Sequence, residues 1–371
     1  MKEFAHGPEH ECATAIGPRF AIEDLIQTWP LIRTELGLGR LNPPRLIDFG
    51  DEGIPQDVRG TFQAPRSPAV AVLKHPPGLG IELTTRLQIE SMLLPSTYRS
   101  FPLADGMPSL LWEPAYQFQA AAQGGSGPKV DPFNTGKLND LTASAPAVTS
   151  HAKGHRVALL DTGHKYATQQ MIDFLDGDLR NPTTRAAVDP HGHGTAVSMV
   201  LGAVNPRAIV HPLRVLNDKG KGRSHEILAG LTYAMWSGQY DLINASLTTI
   251  VSNPCDTTYG RSIDYLFRYC QANAINTPML VAAAGNGNGS PSGYPARMHG
   301  AVVALATDQH KKAQPYNSRP PAHAVTESAY GGSASDPLGD LGPLTGITGA
   351  GASLWGTSLA APVISGAYLP P

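Results

Sequence analysis

The stretch HRVALLDTG, residues 155–163, decides the fold. Its apolar run from Val157 to Leu160 does not alternate with polar residues, so both faces of the strand it predicts must be covered. The run then stops on Asp161, Thr162 and Gly163, a strand end followed by a turn. The same grammar repeats downstream. HGTAVSMVLGA opens a helix, AIVHPLRVL reads as a strand, SHEILAGLTYAMWSG as a helix, YDLINASL as a strand, residues 262–273 as a helix and PMLVAAAGN as a strand. Such alternation predicts an α/β fold with a mainly parallel sheet between helices. In the helix near Ser224, that serine is the predicted N-cap, and Ile227, Leu228, Leu231 and Met235 form an apolar stripe for core packing.

Upstream the pattern loosens. Residues 120–150, AAAQGGSGPKVDPFNTGKLNDLTASAPAVTS, lack a sustained apolar period and read as a linker. It separates an N-terminal region, residues 1–119, from a domain spanning 151–371. The N-terminal region reads as a smaller α/β unit with one clear helix, Ile22 to Gly37, in which Pro30 marks a kink or a start and Gly37 a stop.

Bulk properties narrow the classes of partner. With 371 residues, 41% hydrophobic and 16% charged, the chain can bury a large core. A net charge of -2 offers no footprint for nucleic acid or an anionic membrane. No apolar run approaches the roughly 20 residues of a membrane span. The opening MKEFAHGPEHECATAIG lacks the apolar core of a signal peptide, so cytoplasmic residence is expected. Cys12, Cys255 and Cys270 form no disulfide framework, and a Cys255–Cys270 bridge stays open.

Three polar residues fall at the ends of predicted elements, where open parallel sheets place their reactive groups. Asp161 closes a strand, His193 begins a helix in HGHGTAVS, and Ser358 opens a helix in GTSLAAP, residues 356–362. A serine hydroxyl is a weak nucleophile near neutral pH. It needs a base within hydrogen-bond reach, and that base needs a group to hold its tautomer and stabilise its cation. Ser358, His193 and Asp161 are candidates for those roles in that order. Asn286, in VAAAGNGNG just past an apolar strand, adds an amide donor that could face a developing oxyanion beside the Ser358 N–H.

On these residues the C-terminal region resembles the subtilisin-like serine proteases, the subtilase or peptidase S8 family. The order Asp, His, Ser is that family's. DTG, HGT, AAAGN and GTSLAAP are similar to its motifs around the aspartate, histidine, oxyanion asparagine and nucleophilic serine, and LRVLNDKGKGRSHEILAGLTYAMWSGQYDLINASL is similar to its central segment. The resemblance runs across about residues 155–366. It implies a serine endopeptidase that hydrolyses protein or peptide substrates through Asp161, His193 and Ser358 by way of an acyl-enzyme, with Asn286 on the oxyanion. It also implies that Ser246 and Leu247 line a cleft where an extended peptide adds as a strand, and that Gly293 in SGYPA floors a roomy pocket for a large apolar or Tyr-like side chain at the cleavage site. For residues 1–119 it leaves three roles open: a removable propeptide, a permanent regulatory or partner-binding module, and a structural cover. Rival readings are a transpeptidase or macrocyclase using the same acyl-enzyme, and a non-catalytic binding module on the same scaffold.

Departures from the family pattern are specific. Thr248 and Thr249 stand after NASL where the family usually has glycines, which narrows the expected cleft. Subtilases generally continue past the helix that Ser358 opens, whereas this sequence stops at Pro371. The expectation is either that the family's C-terminal cover is absent or that part of residues 1–150 packs in its place. Other motifs are discounted. His191 and His193 form an H-x-H without further ligands, His225-Glu226 meets Ala229 where a zinc helix needs a second histidine, and GNGNGS lacks the last glycine of a dinucleotide loop. The acidic stretch DFLDGD, residues 173–178, reads as a solvated turn. No cofactor is expected to be required; the resemblance leaves a structural calcium at the acidic stretch open as the alternative to a solvated turn, without support from ligand spacing.

Overall fold

In the computed structural model, Val157 to Leu160 lie at the centre of a sheet. The described residues are 12–49, 54, 56–76, 83–88, 108–121, 155–175, 181–249, 260–273, 275–308, 310–332 and 355–369. The N-terminal unit runs β1 (Cys12–Pro18), α1 (Arg19–Glu35), β2 (Arg45–Ile47), α2 (Gln56–Gln63), β3 (Pro68–Lys74) and β4 (Leu111–Pro114). Its strands pair antiparallel in the order β2-β3-β1-β4. Helix α1 buries Ile22, Leu25, Trp29 and Ile32, spaced at helical intervals, in one cluster with residues of β1 and β3. It starts at Arg19, ahead of the predicted Ile22. Pro30 lies within it on the exposed side, where a missing N–H costs least, and Gly37 at φ +64 forms the stop. A further strand, β5 (Gln117–Ala120), leaves this unit.

The second unit runs β6 (Arg156–Asp161), β7 (Met171–Asp173), β8 (Thr183–Arg185), α3 (His193–Val204), β9 (Ile209–Arg214), β10 (Lys221–Arg223), α4 (Ser224–Trp236), β11 (Leu242–Ala245), β12 (Leu247–Thr249), α5 (Arg261–Ala272), β13 (Met279–Ala283), β14 (Ala301–Thr307), β15 (Val325–Tyr330) and α6 (Thr357–Tyr368). Among the described residues the main sheet has the order β15-β14-β13-β11-β6-β9-β7-β8, parallel throughout except for the β7–β8 pair. Alternate residues of β6 feed two cores. Ala158 and Leu160 join Ile227, Leu228 and Leu231 of α4 with Ile263 and Leu266 of α5, while Val157 and Leu159 join Ala196 and Val200 of α3 with Leu359 and Ile364 of α6. That split is why the run does not alternate in polarity.

Helix α4 differs from its prediction at the cap. Arg223 is the N-cap, and the Glu226 carboxylate accepts its backbone N–H at 2.7 Å. Ser224 is the first helical residue, and its hydroxyl accepts the Tyr116 N–H at 3.2 Å.

The N-terminal unit packs on α4 and α5, sharing one hydrophobic cluster with them. Phe62 stacks on Tyr233 with ring centroids 5.8 Å apart, the Trp236 indole donates to Thr61 O at 3.0 Å, and the Tyr269 hydroxyl donates to Arg66 O at 2.7 Å. The described part of the N-terminal unit thus shares its cluster with α4 and α5, whereas α6 lies on the opposite face of the sheet in a cluster that includes Ala121, and residues 122–150 lie outside the described residues. Cys270 is a free thiol in the core shared with α4 and α5, with its pKa pushed up to about 12 by burial, and Cys255, its candidate partner, lies outside the described residues. No helix among the described residues is long and apolar enough to cross a membrane.

Candidate active site

Strand β6 ends on Asp161 and helix α3 starts on His193, and the two side chains meet. His193 Nδ1 lies 2.7 Å from Asp161 Oδ1, with neither residue exposed to solvent. The same Asp161 oxygen accepts the Thr162 N–H at 2.7 Å. Burial by itself lowers the His193 pKa, but the charge and hydrogen bond of Asp161, with the charge of Asp189 behind them, outweigh it and hold the pKa above the ordinary value. Close approach of the two elements requires glycine: a methyl on Gly194 would come within 2.2 Å of Gly163 O and 3.0 Å of Asp161 Cβ.

Asp189 holds this corner together. Its Oδ1 accepts the Thr162 hydroxyl at 2.8 Å and the Gly192 N–H at 2.7 Å, and its Oδ2 accepts the Thr195 N–H at 2.8 Å and the Thr195 hydroxyl at 2.7 Å. The Thr162 hydroxyl in turn accepts the Gly194 N–H at 2.9 Å. A buried carboxylate thus satisfies the orphan donors at the start of α3 and ties that helix to the strand end carrying Asp161.

Ser358 comes from the first turn of α6, on the same sheet edge. Its carbonyl lies 2.8 Å from the Ser246 hydroxyl, which is itself 2.9 Å from Asn244 Oδ1, and Asn244 Nδ2 donates to Ser365 Oγ at 2.8 Å. This chain lashes α6 to β11. Asn286 is oriented from the other side, where its Oδ1 accepts the Thr357 N–H and hydroxyl, both at 3.0 Å. His193 Nε2 and Ser358 Oγ are buried, and neither has a hydrogen-bond partner. Leaving a buried polar atom unpaired costs roughly 1–3 kcal/mol, and such atoms call for a functional explanation.

The cleft beside these residues is filled by the chain itself. Strand β5 lies antiparallel between β10 and β12, with Leu247 opposite Ala120 and Thr249 opposite Phe118. One residue further on, the Ala121 N–H donates to Ser246 O at 3.0 Å. The Ala121 carbonyl oxygen accepts two donors, the Ser358 N–H at 3.1 Å and Asn286 Nδ2 at 2.7 Å. Two converging donors on one carbonyl form the geometry that stabilises an oxyanion.

Of the seven residues singled out in the sequence, Ser358 and Asn286 donate to the Ala121 carbonyl, and Ser246 and Leu247 flank the strand that ends there. Asp161 and His193 meet each other, and Gly293 lies against Thr248 and Thr249. Ser246 contributes its backbone carbonyl to the bound strand and its hydroxyl to α6, and Leu247 contributes backbone pairing while its side chain enters the core. Gly293 lies close against two threonines. A methyl there would meet Thr249 Oγ1 at 2.2 Å and Thr248 Oγ1 at 2.6 Å. Asp173 of the acidic stretch is ion-paired with Arg185 and, at 3.5 Å, with Arg214, whereas residues 176–178 lie outside the described residues. No cluster of three or more His, Cys, Asp or Glu side chains suited to a metal ion occurs among the described residues.

Sequence reasoning missed Asp189, Thr162, Thr195 and Glu113, as well as β5 as the occupant of the cleft. Asp189 carried a usable signal, an aspartate just ahead of a helix start. Glu113 and β5 carried none, since their partners are remote in sequence.

Known proteins bear on this geometry. The sequence profile of the subtilase family matches residues 152–369. Over 224 residues the chain is 29% identical to subtilisin BL of Lederbergia lenta, covering 58% of this chain and 74% of that protein. It is 30% identical over 223 residues to alkaline elastase YaB of Bacillus sp. (strain YaB), covering 57% of this chain and 53% of that protein. To an alkaline protease of Alkalihalobacillus alcalophilus it is 29% identical over 224 residues, with coverage of 58% and 53%. The chain thus spans about half the length of two of these three relatives.

Proposed function

The chain belongs to the subtilase family, and on that premise we propose that it is a serine endopeptidase whose first substrate is its own peptide bond between Ala121 and Ala122. Ser358 Oγ attacks the Ala121 carbonyl carbon while His193 Nε2 takes the hydroxyl proton. Asp161 holds His193 with Nδ1 protonated and stabilises the imidazolium. The Ser358 N–H and Asn286 Nδ2 hold the oxyanion, and the position of Ser358 at a helix N-terminus favours the negative charge. His193 then protonates the leaving amine of Ala122. Water, deprotonated by His193, releases the acyl group from Ser358, and the freed cleft accepts other protein or peptide substrates as an added strand.

One observation carries this reading: the Ala121 carbonyl oxygen accepts both the Ser358 N–H and Asn286 Nδ2. It favours the removable role for residues 1–119, continued as far as Ala121, over a permanent module. Intact-mass measurement on purified protein is the test. Wild-type chain is expected to yield a fragment beginning at Ala122 and Ser358→Ala to remain whole. A wild-type chain that stays whole and fails to react at Ser358 with a fluorophosphonate would refute the proposal.

A further inference from the structure

Because Ala121 N–H bonds to Ser246 O and Ala120 lies opposite Leu247, Ala121 continues the β5–β12 pairing opposite Ser246. Residues two apart on a strand share a face, and diagonal neighbours across an antiparallel pair have their backbones about 7–8 Å apart, within reach of a long side chain. Thr248 therefore stands on the Ala121 face, at the diagonal position. Its hydroxyl oxygen lies 2.6 Å from where a methyl on Gly293 would be and 3.5 Å from where one on Gly285 would be, so it projects between those two backbones. Thr249 Oγ1 lies 2.2 Å from where the Gly293 methyl would be. Its backbone N–H donates to Tyr294 O at 3.0 Å and its hydroxyl accepts the Tyr294 N–H at 3.1 Å. Thr248 Oγ1 thus lies near both glycines and Thr249 Oγ1 near Gly293.

The other end of the bound strand is the reverse. Phe118 has no solvent exposure and belongs to a cluster with Leu216, Ile227 and Leu247, with the Tyr116 ring 5.3 Å away. Gln119, between the two sites, is exposed. From the crowding around Gly293 and Gly285 we infer that Thr248 sets the specificity of the proposed peptidase: the residue on the acyl side of the cleaved bond must be alanine-sized. The inference rests on the peptidase reading above. It replaces a large apolar preference with a small one, because a longer side chain at position 121 would collide with Thr248.

Two measurements test it. In the full chain, Ala121→Ser should process at close to the wild-type rate and Ala121→Phe roughly tenfold or more slowly. Adding Thr248→Gly to Ala121→Phe should restore processing. Ala121→Phe processing as fast as wild type, or no gain from Thr248→Gly, overturns the inference. Since Ala121→Phe can also fail by misfolding, the processed wild-type enzyme is given peptides that carry Phe-Gln-Ala-Ala or Phe-Gln-Ala-Phe before one common leaving amine. The expected kcat/KM ratio favours Ala by about tenfold or more and reverses in Thr248→Gly. A wild-type enzyme that reacts with a fluorophosphonate at Ser358 yet cleaves after Phe as well as after Ala overturns the specificity alone, whereas no labelling and no hydrolysis overturns the peptidase reading with it.

Discussion

The Ala121 carbonyl oxygen accepts the Ser358 N–H at 3.1 Å, so the strand that leaves the N-terminal unit ends on the first turn of the helix carrying the candidate nucleophile. The contact joins two units that the sequence separates by a linker. It also makes self-cleavage a direct readout of the site.

Asn286 is the second donor on that carbonyl, at 2.7 Å. Asn286→Ala should slow the appearance of the processed product about 10²–10³-fold, by analogy with the loss of an oxyanion donor elsewhere. Asn286→Asp keeps an acceptor for Thr357 but loses the donor, so it should be comparably slow. Processing at the wild-type rate in both variants would contradict the assignment.

His193 must be neutral to accept the Ser358 proton. Its pKa is lowered by burial but raised further by Asp161 and Asp189, a net upward shift. Activity should therefore fall on acidification with a midpoint above the ordinary 6.5. Asp189→Asn removes one of the raising charges and should move that limb to lower pH. Rates followed across about pH 5–9 check both statements, and a limb unmoved in Asp189→Asn would count against them.

Glu113 couples docking of the N-terminal unit to pH. Its carboxylate accepts the backbone N–H groups of Arg261 at 3.0 Å and Ser262 at 3.3 Å, and the Ser262 hydroxyl. Burial raises its pKa to about 7, against those hydrogen bonds, which lower it. A raised carboxyl pKa means that the docked state favours the protonated form. The stabilisation is complete below the ordinary 4.5 and is lost as the pH rises to about 7. In the Ser358→Ala chain, the urea midpoint should fall across that window, and Glu113→Gln should flatten the fall. Parallel curves for the two proteins would refute the coupling.

Phe118 anchors β5 with its whole side chain buried. Phe118→Ala should destabilise the Ser358→Ala chain by about 3–5 kcal/mol through lost burial and the cavity left behind. Denaturant unfolding measures this. A loss below about 1 kcal/mol would mean that the strand is held by its backbone pairing alone.

Much of the second unit was legible because its signals are local. Apolar runs ending on Asp161, Asn244 to Ser246 and Gly285-Asn286 place strand ends at one edge of the sheet, and His193 and Ser358 follow at helix starts. The predicted helices and strands match the observed ones to within a few residues, as the early start of α1 and the Arg223 cap illustrate. The N-terminal strands were less legible. Prolines interrupt their pattern, and their pairing joins segments far apart, as where Cys12 lies opposite Lys74.

The sequence by itself determined the α/β alternation, the order Asp161, His193, Ser358 and the candidate oxyanion donor Asn286, because strand burial and helix starts are written in neighbouring residues. Only the tertiary structure decided what occupies the cleft and how much room it leaves. Ala121 reaches Ser358, Glu113 reaches Ser262 and Thr248 reaches the space above Gly293 through contacts between distant segments. Spacing along a chain carries no record of which side chain fills a gap between two others. That is settled when the sheet brings the three backbones together.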